Sequence, residues 1–405
     1  MAGLEALKPE AVGVARSDRA ELASPAERVL LLSMREMAAL VGYCALYEFE
    51  DVVADLTGAE IASPVGIDGL ELSRKVYKVA RHLSGSQRFA ESVRPRLGTL
   101  RLHKSYDLFI ACFNHPHELF ALKAIPDWRQ RCRTAVCYIC EAWVHLLPPY
   151  LLELLNDFDQ VFLGVSGPTQ AVSDICRRPC TYLPTGVDAL KFCPHPELPD
   201  RAIDVCGIGR RSPVTHAALL DRARQGDFFY FYDTVESKAF GRFGRQLTFR
   251  VGNVQEHRLL LASLLKRSRY FIANRAWADD SELTRGTDEI ASRFYEGAAA
   301  GAVLLGDPPD TEHFRAQFDW EGAVVAMPFH APEAARVIAE LEKDPERLAA
   351  IRRRNVVNAL SRHDWTHRLR ALLEAAGLAA TPGMVAREAR LGTLAEELRA
   401  APFDA

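Results

Sequence analysis

Long hydrophobic runs are missing from this chain. No stretch of about eighteen apolar residues occurs, which excludes an ordinary membrane-spanning helix. The opening segment MAGLEALKPEAVGVARSDRAELASPAER is polar and charged and lacks the apolar core of a secretory signal. A cytoplasmic protein is therefore expected, with residues 1–26 read as a mobile tail. An excess of positive charge is missing too. The 50 Lys and Arg are balanced by 53 Asp and Glu, so no global basic field points to nucleic acid. Metal-ligand spacing is absent: the nine cysteines are scattered and odd in number. Cys137 and Cys140 form a CxxC, but in a stretch that reads as a strand, where residues three apart point to opposite faces. Cys176 and Cys180 flank RRP without a second ligand pair. Reduced, buried cysteines are expected. No DxD stands at a strand end, and Asp279-Asp280 reads as a solvent-exposed loop. There is no short repeat and no low-complexity tract.

What is present is 405 residues, 48% hydrophobic and 25% charged, which suits a soluble protein of two domains. Short apolar runs alternate with helical patterns throughout. RVLLLSM (28–34), AEIASP (59–64), YDLFIACF (106–113), TAVCYICEAW (134–143) and QVFLGV (160–165) read as buried strands. Helices are expected over 36–56, 73–83, 118–125, 150–157 and 167–176. Of these, SRKVYKVARHL (73–83) is amphipathic. No basic helix stands out clearly enough to assign membrane attachment. KFCPHPELPDR has three prolines and no apolar period, so the linker is placed at 189–201.

A second alternating series follows, with strands at 202–209, 228–235, 269–276, in the run ending at Asp307, and at 322–327. Helices lie at 214–224, 254–266, 333–342, 345–360 and 367–376. The expected class is α/β, with two doubly wound, Rossmann-like domains at 27–188 and 202–362. Segment 363–405 forms C-terminal helices. In open parallel sheets ligands bind at the carboxyl ends of strands, so a cleft between two such sheets is the expected site.

The densest chemistry lies in TRGTDEIASRFYEGAAAGAVLLGD, Thr284 to Asp307. It reads as a loop, then a charged helix, then a buried strand. A helix beginning near Asp288 presents free N–H groups to a phosphate, and Asp288 can equally serve as its N-cap. Glu289 and Glu296 are seven apart with Arg293 between them, a spacing that also makes an exposed salt-bridge face. Glu296 is followed by small residues, which allow close approach of a ligand or a backbone.

This stretch resembles the nucleotide-sugar site of group 1 glycosyltransferases of the two-domain GT-B architecture. In that family two acidic residues have seven others between them, and small residues, glycine and a strand follow. Asp288 and Glu296 match the spacing. The resemblance implies that Glu296 holds the donor ribose and that Asp288 contacts the donor sugar, with Glu289 as its rival, and Arg293 is placed with the donor-binding residues. YLPTGVDALKFCP (182–194) resembles the interdomain segment of the family. IDVCGIGRR (203–211) resembles its diphosphate-binding turn, which implies phosphate roles for Arg210 and Arg211. VGNVQEHRLLLASLLKRSRYFIANRA resembles the base-binding region, around Gly252 and Asn253; His257 and Arg258 read as structural. SRHDWTHRLRALLE (361–374) resembles the closing segment of a spore-maturation-type branch, where the last helices return to the first domain.

On the acceptor side, the polar strand ends Asn114-His115-Pro116-His117 and Glu141-Ala142-Trp143 should face the cleft. Glu141 and His115 are candidate catalytic groups, alongside Asp288. Trp143 reads as a core residue. The implied reaction moves a sugar from a nucleoside-diphosphate donor, whether of UDP or GDP type left open, to a hydroxyl acceptor, with retention and without metal or cofactor. The acceptor is a saccharide, a lipid-linked sugar, a metabolite or a protein; the oligomeric state is left open. A nucleotide-binding scaffold without activity, or a GT-B enzyme of another chemistry such as an epimerase, are the alternatives.

Overall fold

The computed structural model describes residues 29–37, 40–64, 70–96, 99–143, 149–233 and 251–400. The expected N-terminal tail, and the end of the strand expected at 228–235, lie outside these residues. Two parallel sheets carry the fold. The first has β1 (Val29–Leu32), β2 (Glu60–Ala62), β3 (Tyr106–Phe113), β4 (Cys132–Ile139), β5 (Gln160–Leu163) and β6 (Cys180–Tyr182), in the order β2-β1-β3-β4-β5-β6. The second has β7 (Ile203–Gly207), β8 (Tyr230–Tyr232), β9 (Ser268–Ile272), β10 (Val303–Gly306) and β11 (Val325–Ala326), in the order β11-β10-β9-β7-β8. Strand order reverses between β1 and β3 in the first sheet and between β7 and β9 in the second. At such switch points the crossover helices diverge to opposite faces and leave a crevice outside the strand ends.

The period of two along each strand decides which core each side chain joins. In β3, Phe109, Ala111 and Phe113 enter one layer, while Leu108, Ile110 and Cys112 enter the other. Cys137 and Cys140 likewise join opposite layers, so the CxxC cannot act as a chelate. In β9, Phe271 and Tyr270 separate in the same way. Both faces of both sheets are covered, as an all-parallel sheet requires.

The crossing between halves is built from two strands of chain. Val187 pairs with the segment His363–Trp365: its N–H donates to His363 O at 3.1 Å, and its carbonyl accepts from Trp365 N–H at 3.1 Å. Gly186 packs against the Trp365 ring and the His363 carbonyl, so closely that a Cβ there would lie 2.9 Å from the ring. The helix Trp365–Ala375 then packs on the first sheet, with Trp365, Leu369 and Leu372 in the same layer as Leu31, Leu108 and Val136. Within the segment read as C-terminal helices lies a further helix, Pro382–Ala400, whose bounds were not legible. Its Met384 joins the first half and its Leu391, Ala395 and Leu398 the second. A helix serving two cores at its two ends has no single apolar stripe to read.

Other boundaries differ locally. The helix expected from 36 starts at Cys44, after a 3-10 turn at Val41–Tyr43, and the helix expected at 118–125 is a 3-10 segment, Pro116–Ala124. The stretch read as linker contains a short helix, Ala189–Phe192, capped by Asp188.

Candidate active site in the cleft between the sheets

The helix that carries Glu296 runs Ser292–Ala299, with Ala291 at its N-cap. It starts later than the sequence implied. Asp288 and Glu289 precede it in an extended segment, where Ala276 N–H donates to Glu289 O. Asp288 therefore neither caps this helix nor opens it toward a phosphate, and no Glu289–Arg293–Glu296 helical face forms. The reason is local: Ile290 is buried and anchors the segment to the second core before the helix can begin.

Each acidic candidate has a partner. Asp288 pairs with Arg275 Nε at 3.1 Å, and Arg275 also binds Asp307. The Glu289 carboxylate reaches across the cleft to the turn after β5. One oxygen accepts from Ser166 N–H at 2.7 Å, Ser166 Oγ at 3.0 Å and Gly167 N–H at 2.9 Å. Burial pushes Glu289 upward in pKa against these hydrogen bonds. Its place is a strut between the halves.

Glu296 is 4% exposed, and its Oε1 accepts from Arg258 Nη1 at 2.6 Å. Arg258, from the helix Val254–Lys266, also donates to Glu48 of the first half, at 2.8 and 3.2 Å. Glu48 further accepts from Asp188 N–H at 2.8 Å and Trp365 Nε1 at 3.2 Å. Burial alone would raise the Glu48 carboxyl, but Arg258, Lys191 and these hydrogen bonds hold it well below the ordinary carboxylate range. Arg258 is thus structural in the strong sense that it ties the two halves, while it leaves Glu296 Oε2 with no hydrogen bond among the described residues.

The basic groups gather around Gly209, just past β7 at the switch point. Gly209 has φ +73°, and its missing Cβ leaves room for the Arg293 guanidinium, which packs against it. Among the described residues no hydrogen bond or ion pair engages that guanidinium. Burial lowers the Arg293 pKa, with Glu296 raising it and Arg210 lowering it further. Arg210 stacks 3.4 Å over the Trp277 ring and pairs with Asp279 at 3.1 Å. Asp279 is exposed, as read from the sequence, and joins this group through Arg210. Arg211 binds Asp233, whose other oxygen accepts from Gly209 N–H at 2.7 Å. Gly252 and Asn253 are exposed, and the Asn253 side chain caps the helix Val254–Lys266 by accepting from Glu256 N–H at 3.1 Å.

The opposite wall comes from the first sheet. Glu141 stands just past β4, facing Trp277 and Arg210. Crowding in the cleft raises its pKa, against the pull of Arg210 and of the Trp277 hydrogen bond. Glu118 accepts from Asn114 N–H at 2.7 Å and is pushed up to about 7 by burial. Tyr43 feels both carboxylates. His115 accepts from His117 N–H through Nδ1 at 3.2 Å, and burial next to His117 and Arg74 drops it to about 4. His115, a candidate catalytic group in the sequence, caps the turn here through its Nδ1. Trp143 is buried in the first core, as its apolar setting required.

The structure brings Arg210, Arg211, Arg293, Glu296 and Glu141, all named from the sequence, to one cleft, while Asp288, Glu289 and His115 take up partners of their own. Sequence reading did not name Glu118, Trp277 or Arg258 as parts of it. Glu118 and Trp277 carried a signal, since each follows closely on a strand end at the cleft. Arg258 carried none, because its partner Glu48 lies 210 residues away in sequence.

Several solved proteins align with this chain at low identity. The Candida albicans trehalose-6-phosphate phosphatase N-terminal domain aligns with TM-score 0.49 and 9% identity, covering 90% of this chain and 99% of that one. The glycotransferase of kitacinnamycin aligns at 0.35 and 14%, covering 87% and 100%. The pneumococcal O-GlcNAc transferase GtfA, in complex with UDP and GlcNAc, aligns at 0.35 and 10%, covering 73% and 57%. The assignment rests on none of these likenesses. No curated protein matches the chain in sequence. Residues 234–374, which contain Arg258, Trp277, Asp288, Arg293 and Glu296, match the family described as "Glycosyl transferase-like".

Proposed function

We propose that the protein transfers a sugar from a nucleoside-diphosphate donor to a hydroxyl acceptor. One observation carries the reading: three arginines, Arg210, Arg211 and Arg293, surround Gly209 at the switch point, with the Glu141 carboxyl across the cleft. Arg293 is the group most ready for an anion, because a half-buried guanidinium without a carboxylate gains most from one. Arg210 and Arg211 join it by leaving Asp279 and Asp233. Stabilising the departing diphosphate is the main catalytic effect. Glu296 Oε2 faces the donor ribose, held in place by Arg258. Glu141, raised in pKa by burial in the cleft, accepts the acceptor proton or balances charge at the anomeric carbon. Retention without metal is the outcome that the resemblance implies; NMR of the product anomer in the presence of chelator tests it.

The first test is thermal stabilisation by UDP, GDP, ADP and dTDP. Ligand at about a hundred times its dissociation constant adds roughly 2.7 kcal/mol. Stabilisation by one diphosphate, lost in Arg293→Ala, supports the reading; no stabilisation by any of the four overturns it. A second reading has its own support. Arg210 and Arg211 each have an acidic partner within the chain and Glu296 Oε1 has Arg258, as in a scaffold that binds nothing. Release of nucleoside diphosphate from sugar nucleotides separates the two.

A further inference from the structure

The helix Leu70–Ser84 has two apolar stripes. One, Ser73, Tyr77 and Ala80, is buried against the first core. The other, Leu72, Val76, Val79 and Leu83, follows the 3.6 period about a quarter turn away. Leu72, Val79 and Leu83 are 58%, 57% and 79% exposed. The next helix, Gln87–Val93, packs on the first and exposes Phe89 and Val93, one turn apart. Large apolar residues in such a row need a reason when lone ones do not.

Charge supplies it. Residues 70–104 hold nine Lys and Arg against two Glu, in a chain of net charge −3. Some of these cations are paired inward: Arg81 with Glu153, Arg94 with Glu91 and Lys104 with Glu60. Lys75, Lys78, Arg88 and Arg96 have no acidic partner among the described residues. Lys75 and Lys78 flank the exposed stripe on the side away from the core. Apolar side chains bordered by solvated lysines fit the boundary between headgroups and acyl chains, where the stems lie along the apolar layer and the charges meet phosphate. A second copy of this face is disfavoured, since like charges would meet. The sequence hid the feature because the two stripes overlap in one amphipathic pattern.

We propose that this helix pair docks on an anionic lipid bilayer. The surface adjoins the cleft: Arg74 Nη1 lies 3.3 Å from His117 Nδ1, at the rim that carries Asn114 and His115. Docking there brings the acceptor wall to the membrane, which makes the acceptor a lipid-linked hydroxyl. That last step rests on the transfer reading; the docking itself does not.

The test is co-sedimentation of the full chain with vesicles of phosphatidylcholine, alone or mixed with phosphatidylglycerol, without nucleotide. The expected result is binding to the mixed vesicles only, weakened by salt. Lys75→Glu with Lys78→Glu should lower the partition coefficient at least roughly 30-fold, at about fivefold per basic residue. Val79→Glu with Leu83→Glu should abolish binding. All four sites are on the surface, so thermal midpoints and the response to diphosphates should stay unchanged in both variants. Equal binding to neutral vesicles, no binding to either kind, or binding indifferent to both variants would each overturn the proposal. So would self-association by sedimentation velocity that Val79→Glu with Leu83→Glu removes while vesicles go unbound. Loss of vesicle binding with diphosphate stabilisation intact separates this failure from failure of the transfer reading.

Discussion

Arg258 is the sharpest place to test the architecture. Its guanidinium is 3% exposed and makes three close contacts, two to Glu48 at 2.8 and 3.2 Å and one to Glu296 at 2.6 Å. Arg258→Met keeps the volume and removes the charge. Glu48 retains Lys191 at 3.3 Å, Asp188 N–H and the Trp365 indole, but Glu296 Oε1 loses its cation. Breaking a buried pair from one side costs about 3–5 kcal/mol, because a charge is left without compensation. Arg269→Met is the control. It removes pairs with Asp204 and Glu342 from a side chain 34% exposed, where the expected cost is about 0–1 kcal/mol.

The pH dependence gives a second readout. Glu48 titrates below its unfolded value of 4.5, so its contribution is full above that pH and is lost as pH falls toward its folded value. Arg258→Met removes the largest attraction behind this depression and so reduces it. The gap between native protein and variant should therefore be full at pH 7 and narrow below about pH 4.5. Urea unfolding followed by circular dichroism at pH 7 and pH 4 reads both effects. A variant within about 1 kcal/mol of native at pH 7, or a gap that widens in acid, would refute the reasoning.

Other outcomes follow from the same geometry. Arg293→Ala should abolish stabilisation by diphosphates without lowering the midpoint of the free protein, because the cation it removes has no ionic partner among the described residues; differential scanning fluorimetry reads both. Glu289→Ala should cost about 2 kcal/mol by orphaning the Ser166 and Gly167 N–H groups, and Glu289→Gln roughly half that, in urea titrations. Glu118 rises from 4.5 to about 7 on folding, so its contribution is present below pH 4.5 and lost as pH rises through 7; Glu118→Gln should flatten that part of the stability profile.

The alternation of apolar runs and helices was enough to give two parallel sheets, because strands buried on both faces must be short and apolar and their crossovers must be helices. The glycine past β7 and the arginines beside it were equally legible, since a turn at φ +73° next to a strand end is a local requirement. What the sequence by itself determined was therefore the set of elements and the end of each sheet where chemistry gathers. Tertiary structure decided which charges meet. Glu289 and Glu296 look alike in sequence, seven residues apart, yet one spans the cleft to Ser166 and the other is fixed by Arg258. Glu48 gave no sign of its role, because its partner arrives from the other half of the chain. Ion pairing depends on distances of a few ångströms between segments hundreds of residues apart, and only the packing of the two halves sets those distances.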